Sequence, residues 1–297
     1  MDSVADIEAK ELSAAPNPGR RSANLVRNLY SRPVSGIGAT ITLLFFLVAL
    51  LGPWIAPYGA SEIIPGDARQ PPSVEHWFGT DNLGRDVFSR VILGAREILV
   101  LSGLGTLLAV LGGTFLGLLA GYRGGWLDEG LMRLFDSLLA LPALLLALLF
   151  LGTLGPATGS VLVVIVIVYT PIVARVVRSV ALSMRSKAFV EAARLQGERQ
   201  IQILMREILP STLPALTVEA ALRFSYAIFL VASLGFLGVG VQPPSPNWGL
   251  MVKEARNFAN LIPWAMIFPA LAISIVVIGV NLLADGLKTA LLTRGEE

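Results

Sequence analysis

Charged residues interrupt several of the long apolar runs in this sequence, and they are its first candidates for chemistry. Asp136, Glu219 and Arg223 all lie inside such runs. A charge in the hydrocarbon core of a membrane is costly, so it is normally paired or placed beside water. Glu219 and Arg223 are four residues apart, in the order that favours an ion pair on one helix face. Two interpretations therefore stay open, a self-contained ion pair and the lining of an aqueous translocation path.

The sequence lacks the residue patterns of an enzyme or a nucleotide-binding protein. None of its lysines follows a glycine, so it has no phosphate-binding loop of the GxxxxGK[ST] type. It contains no HExxH or GxSxG motif. Cysteine is absent and His76 is the single histidine, which excludes a two-histidine metal site from this chain alone. We therefore expect no catalytic residue, no metal and no cofactor on this chain.

The composition is that of an integral membrane protein. Of the 297 residues, 54% are hydrophobic and 15% are charged, and the mean hydropathy is +0.70. The net charge of +2 does not favour nucleic acid as a partner. A helix that spans a bilayer needs about 20 apolar residues, which predicts an all-α polytopic protein with six transmembrane helices. The six segments are residues 36–57, 98–121, 129–152, 158–180, 213–240 and 263–287.

The distribution of charge orients these spans. Most of the 23 Lys and Arg residues fall in the two termini and in the segments that lie on the same side of the membrane as the termini. Because basic loops stay on the cytoplasmic side, both termini are predicted to be cytoplasmic. Residues 1–35 are predicted to form a cytoplasmic tail with a helix on the lipid surface, and residues 36–57 the first span. An extracytoplasmic loop follows at 58–97. Residues 98–288 are assigned to a five-helix core that contains the loop 186–212, and residues 289–297 to a cytoplasmic tail.

The stretch FVEAARLQGERQIQILMREILP, residues 189–210, separates the fourth and fifth spans. Apolar residues recur at helical spacing on both sides of Gly197. Glycine permits a sharp change of direction, and Pro210 is expected to stop the second helix. The pattern predicts two short amphipathic helices that lie on lipid, pack under the bundle or dock into a partner.

Two further patterns predict local packing. The segment GTDNLGRD at residues 79–86 combines turn-forming and charged residues, which favours an ordered turn held by internal hydrogen bonds. The second span carries small residues at every fourth position, which lets another helix backbone approach closely. These small residues are Gly105, Ala109, Gly113, Gly117 and Gly121.

The stretch at 189–210 resembles the EAA loop of bacterial ABC importer permeases. The residues that carry the resemblance are Glu191, Ala192, Ala193, Gly197, Ile208, Leu209 and Pro210. Four further blocks resemble the dipeptide, oligopeptide and nickel importer permeases, and specifically the second of their two paired permease subunits. These blocks are residues 79–96, 120–142, 233–249 and 268–287.

This resemblance implies a fold, a location and a set of partners. The fold would be that of a type I ABC importer permease in the bacterial inner membrane, with cytoplasmic coupling helices between spans four and five. The partners would be a homologous second permease, two cytoplasmic ABC ATPases that bind the ATP, and an extracytoplasmic solute-binding protein. In that family the EAA loop docks into a groove of the ATPase. By resemblance, Glu191, Ala192, Ala193 and Gly197 would make the docking contacts, and Ile208, Leu209 and Pro210 would support them.

Other functions stay open from the residues alone. An autonomous channel or ion-coupled transporter would use Asp136, Glu219 and Arg223 without any ATPase. A membrane enzyme has no catalytic constellation to support it. Within the importer family the solute is also open, because dipeptides, oligopeptides, nickel, glutathione and opine-like solutes share this permease pattern.

Overall fold

The computed structural model describes Tyr30 and residues 32–292 of the chain. Most of the predicted region 1–35, including its surface helix, lies outside the described residues. The secondary structure that is described is helical, apart from one isolated bridge between Thr80 and Asp86, which confirms the all-α prediction. The elements are α1 (Pro33–Ile55), α2 (Val87–Arg123), α3 (Gly125–Leu139), α4 (Ala143–Leu154), α5 (Thr158–Met184), α6 (Ala188–Leu195), α7 (Gln200–Ile203), a π segment (Leu204–Ile208), α8 (Leu209–Leu237), α9 (Trp248–Arg256) and α10 (Pro263–Leu292).

Five helical units of the described chain are long and apolar enough to cross a membrane, and the count is six if the bent pair of α3 and α4 is one span. The segment predicted as the span 129–152 is bent, because α3 and α4 meet there at 93°. Pro142 explains the break, since a proline disfavours the helical conformation in the residue before it. Pro142 itself is extended, with ψ of 137°.

Helix α2 is longer than the span predicted at 98–121. It has 37 residues and begins at Val87, which gives it a length of about 55 Å. Asp86 fixes its start, because the carboxylate accepts a hydrogen bond from the backbone N–H of Ser89 at 2.7 Å. The first turns of α2 therefore occupy sequence that was assigned to the extracytoplasmic loop at 58–97.

The stripe of small residues on α2 packs directly against α5. A Cβ built on Gly113 would lie 2.6 Å from the Cβ of Val173, and one on Gly117 would lie 2.5 Å from the carbonyl oxygen of Ala174. Contacts this short leave no room for a side chain, so the two backbones approach as the four-residue spacing predicted. The α2 and α5 pair forms the frame of the bundle.

The prediction that Pro210 stops the second helix of the 189–210 stretch is wrong. Helix α7 passes through the π segment into α8, and Gln200–Leu237 forms one helical unit of 38 residues. Pro210 lies in the first turn of α8, where a proline is tolerated. In the π segment the backbone N–H of Leu209 bonds to the carbonyl of Leu204. Because of this wider turn, the helix continues through Pro210 even though the proline donates no backbone hydrogen bond.

Two alanine substitutions on α2 test its close packing against α5. A methyl group at Gly113 would overlap Val173, whereas one at the neighbouring Gly112 would make ordinary contacts of 3.7 and 3.8 Å with Thr170. We expect Gly113→Ala to destabilise the chain by about 1–3 kcal/mol through overpacking. The matched Gly112→Ala should be neutral or slightly stabilising, because alanine favours helix more than glycine does. Thermal unfolding in detergent measures both, and equal melting temperatures for the two variants would contradict the packing.

Candidate functional site

The loop between α5 and α7 packs onto the C-terminal ends of α2 and α5. Val190 and Ala193 of α6 are buried, as are Ile203 and Ile208 further along the loop. They form one apolar cluster with five residues of the two long helices, which are Leu118, Tyr122, Val173, Val177 and Ala181. The loop is therefore attached to the α2 and α5 frame by a small core of its own.

The residues singled out by the EAA resemblance divide into two sets. Ala193 and Ile208 are buried in this core, and Leu209 is packed against it. The other members face away from the bundle, and they are Glu191, Ala192, Gly197 and Pro210. Apolar side chains on the same outward surface are also exposed, namely Phe189, Leu195, Ile201 and Met205.

Gly197 turns the chain sharply between α6 and α7. Its φ is +78°, a left-handed conformation that side chains resist, while the space around it is open within 4 Å of a built Cβ. The backbone N–H of Gly197 bonds to the carbonyl of Arg194, and that of Glu198 bonds to the carbonyl of Ala193. This pair of bonds is a Schellman motif, which ends α6 as the predicted change of direction requires.

Arg194 ties the loop to the end of α2. Its guanidinium carbon lies 4.9 Å from the ring centroid of Tyr122, and its Nε donates a hydrogen bond to the Tyr122 hydroxyl at 3.2 Å. These two residues border a cavity of about 340 Å³ beside Glu198 and Gln200. The sequence analysis missed this contact, because the partners are 72 positions apart.

The three charged residues proposed for a translocation path do not form one cluster. Asp136 pairs with Arg175 of α5, and both side chains are largely exposed. Glu219 pairs with Arg223 on α8, with 2.7 Å between the Glu219 carboxylate and the Arg223 Nε, as their spacing predicted. A further, partly buried pair, Asp128 with Arg178, joins α3 to α5.

Arg223 lies at the middle of α8 beside a cavity of about 280 Å³. Its guanidinium carbon is 4.8 Å from the ring centroid of Tyr226 and 5.8 Å from that of Tyr169. Both distances fall within the range of a cation–π interaction. Arg223 borders the cavity, whereas its partner Glu219 is not among the lining residues.

The loop before α2, which was predicted to be the outer loop, carries the ordered turn that its sequence predicted. The Asp81 carboxylate accepts hydrogen bonds from the backbone N–H groups of Leu83 and Arg85 at 2.8 and 3.0 Å. The Arg85 side chain bridges Asp81 and Glu254 at 2.6 and 2.7 Å. The turn is thereby joined to α9, which lies more than 160 positions further along the chain.

His76 is a buried structural residue of the outer loop. Its Nδ1 lies 3.0 Å from the Asp86 carboxylate and its Nε2 lies 3.4 Å from that of Asp67, while its ring packs against Tyr58. Burial by itself lowers the pKa of His76, but hydrogen bonds to Asp86 and Asp67 outweigh it, so the pKa is raised above the ordinary value of 6.5.

The raised pKa of His76 predicts a pH dependence of stability. A group whose pKa is higher in the folded state stabilises fully below its unfolded pKa of about 6.5 and loses that contribution as the pH rises through its folded pKa. We expect the melting temperature to fall between pH 6 and pH 9 by more in the wild type than in His76→Gln, which cannot titrate. Parallel curves for the two proteins would contradict a charged His76 in the fold.

Comparisons with known proteins identify the family of this chain. Residues 113–294 match a family described as binding-protein-dependent transport system inner membrane component, and residues 23–72 match the N-terminal transmembrane domain of oligopeptide transport permease C. The chain is 41% identical over 265 residues to a dipeptide transport system permease protein of Alkalihalophilus pseudofirmus, with 89% of this chain and 87% of that protein covered.

Glutathione transport system permease proteins are similarly close. The protein from Escherichia coli O6:K15:H31 is 42% identical over 254 residues, which cover 85% of this chain and 84% of the relative. That from Pectobacterium atrosepticum is 39% identical over 266 residues, which cover 89% and 88%. The family match spans more than half of the chain and the relatives span most of it. The chain therefore belongs to the binding-protein-dependent transport system inner membrane components, the non-catalytic membrane permeases of ABC importers of the peptide and nickel group.

Proposed function

We propose that this chain carries short peptides, or a related small solute, from an external binding protein into the cytoplasm. The relatives are named for dipeptide and glutathione transport, and both solutes are short peptides with free carboxylates. The observation that carries the proposal is the loop at 188–208, which is rigidly packed on the membrane helices while its outward surface is free to receive another protein.

The outward surface of this loop is the proposed docking site for a cytoplasmic ABC ATPase. Glu191 and Ala192 lie on the exposed side of α6, and Gly197 sets the angle between α6 and α7. On the opposite side of the loop, Ala193, Ile208 and Leu209 pack in the apolar cluster with α2 and α5. Exposed apolar side chains surrounded by charged ones are typical of a protein interface. Pro210 would support the site from the first turn of α8.

The remaining parts of the proposed assembly follow from the same arrangement. A docked ATPase places the loop, and with it both chain termini, on the cytoplasmic side. A homologous second permease would cover apolar side chains that this chain leaves exposed, which are numerous on α1. The ATP would be bound by the ATPases, so this chain needs no cofactor of its own.

The mechanism would use the continuity of the 200–237 helical unit. Closure of two ATPases around ATP would displace the docked loop, and the displacement would pass along one helix to Arg223 at the middle of α8. A packed helix transmits a displacement as a rigid body, which is how many transporters alternate between outward-open and inward-open states.

Reconstitution tests the proposed function against an autonomous transporter. The complete importer in liposomes should take up a labelled dipeptide only when ATP and the binding protein are both present. The isolated chain should take up none. Uptake by the isolated chain without ATPases would contradict the proposal and support a channel or ion-coupled transporter.

Substitutions at Gly197 test the coupling loop. Because only the backbone conformation opposes a side chain there, we expect Gly197→Val to reduce uptake on the order of tenfold or more, with Gly197→Asn less severe, since asparagine tolerates positive φ. Gly159→Val, at a helical glycine with equal space and no positive φ, is the matched control. ATP-driven uptake and the amount of chain in the membrane are measured together. Normal uptake by Gly197→Val at normal abundance would overturn the role of this turn.

A further inference from the structure

The cavity beside Arg223 has a positive charge where a membrane protein would rarely expose one. Arg223 is about 14 residues from either end of α8, or roughly 21 Å. Its side chain is only 13% exposed, and that exposure opens into the cavity. Charges at such depth normally face water or a partner rather than lipid.

The Arg223 guanidinium is positioned by its neighbours, but some of its N–H donors are left without a partner in the part of the chain that the structure describes. Its Nε faces Glu219, and the faces of Tyr169 and Tyr226 hold the charge from two sides. Within the described residues, no hydrogen bond is made by its two terminal nitrogens. Arginine offers five N–H donors in a planar fork that matches a carboxylate.

The walls of the cavity suit the end of a small organic acid. Leu144, Ile172 and Phe229 line it with apolar surface, and Ser233, whose hydroxyl donates to the carbonyl of Phe229, lies two turns beyond Tyr226. Helix α4 also begins here, without a side-chain cap, so its N-terminus adds partial positive charge. A volume of about 280 Å³ accepts a carboxylate with its adjoining backbone rather than a whole large solute.

We propose that this cavity binds the carboxylate of the solute during translocation and that Arg223 is the residue that recognises it. The inference rests on the proposed transport of short peptides, each of which carries a terminal carboxylate. Glu219 has a positioning role, since it orients the Arg223 side chain from behind the cavity.

The absence of cysteine from the chain allows a direct test of the charge in the cavity. Ser233→Cys is introduced into the complete importer, with cysteines removed from the partner subunits. Its rates of reaction with an anionic and a cationic methanethiosulfonate reagent are each divided by the rate for a free thiol. We expect the anionic reagent to be favoured on the order of tenfold, because a buried charge concentrates counter-ions.

Three variants and one control test whether Arg223 causes the preference for the anionic reagent. The preference should vanish in Arg223→Gln and persist in Arg223→Lys, which keeps the charge. Because Arg223→Gln leaves a buried carboxylate unpaired, the double variant Glu219→Gln with Arg223→Gln guards against misfolding. Ser274→Cys is the matched control, since Ser274 is another serine of a spanning helix that bonds to the carbonyl four residues before it. Its labelling should not depend on Arg223.

Protection by peptides separates this inference from the proposed function. A dipeptide with a free carboxylate should slow the labelling of Ser233→Cys more than its C-terminal amide does. Charge preference with neither protection by nor ATP-driven uptake of any peptide would support an anion site for another solute and contradict peptide transport. An unreactive Ser233→Cys, or ATP-driven peptide uptake with no charge preference, would overturn the inference while leaving peptide transport intact.

Discussion

The backbone contact between α2 and α5 is the constraint on which the rest of the molecule depends. Glycines at 105, 113, 117 and 121 remove the side chains that would separate these helices. Van der Waals packing of this kind is the main source of helix association where lipid abolishes the hydrophobic effect. The turn at 79–86 is joined to α9 by Arg85, and the loop at 188–208 packs on Tyr122 and Ala181. Both ends of the permease thus take their positions from one frame.

In the proposed mechanism, the loop at 188–208 joins this frame to the ATPase that displaces it. Its apolar residues are buried against α2 and α5. At its C-terminal end, the loop is continuous with the helical unit that ends at Leu237. Energy from ATP can favour one state only if the docked surface differs between states. A stiff helix with Arg223 at its middle links that surface to the solute, so the two proposals describe opposite ends of one element.

Sequence patterns predicted the features that depend on local spacing. The stripe on α2, the Glu219 pair and the Asp81 turn each involve residues within a few turns of one another. Hydropathy could not reveal the bend at Pro142, because apolar residues continue on both sides of it. The expectation that a proline ends a helix failed at Pro210, because the preceding π turn compensates for the missing donor. Partners such as Arg175 and Tyr122 come from distant segments, and one sequence carries no signal for them.

Rigid transmission through the 200–237 unit is the central claim, and a distance within that unit tests it most directly. Spin labels at Ile201 and Phe229, both exposed, lie on opposite sides of the π segment. Pulsed electron resonance on the complete importer can compare the nucleotide-free and ATP-bound states. The account predicts a label distance that changes by less than one helical turn, about 5 Å, while the distance from Ile201 to α1 shifts. A larger change within the unit would make the π segment a hinge and contradict the account.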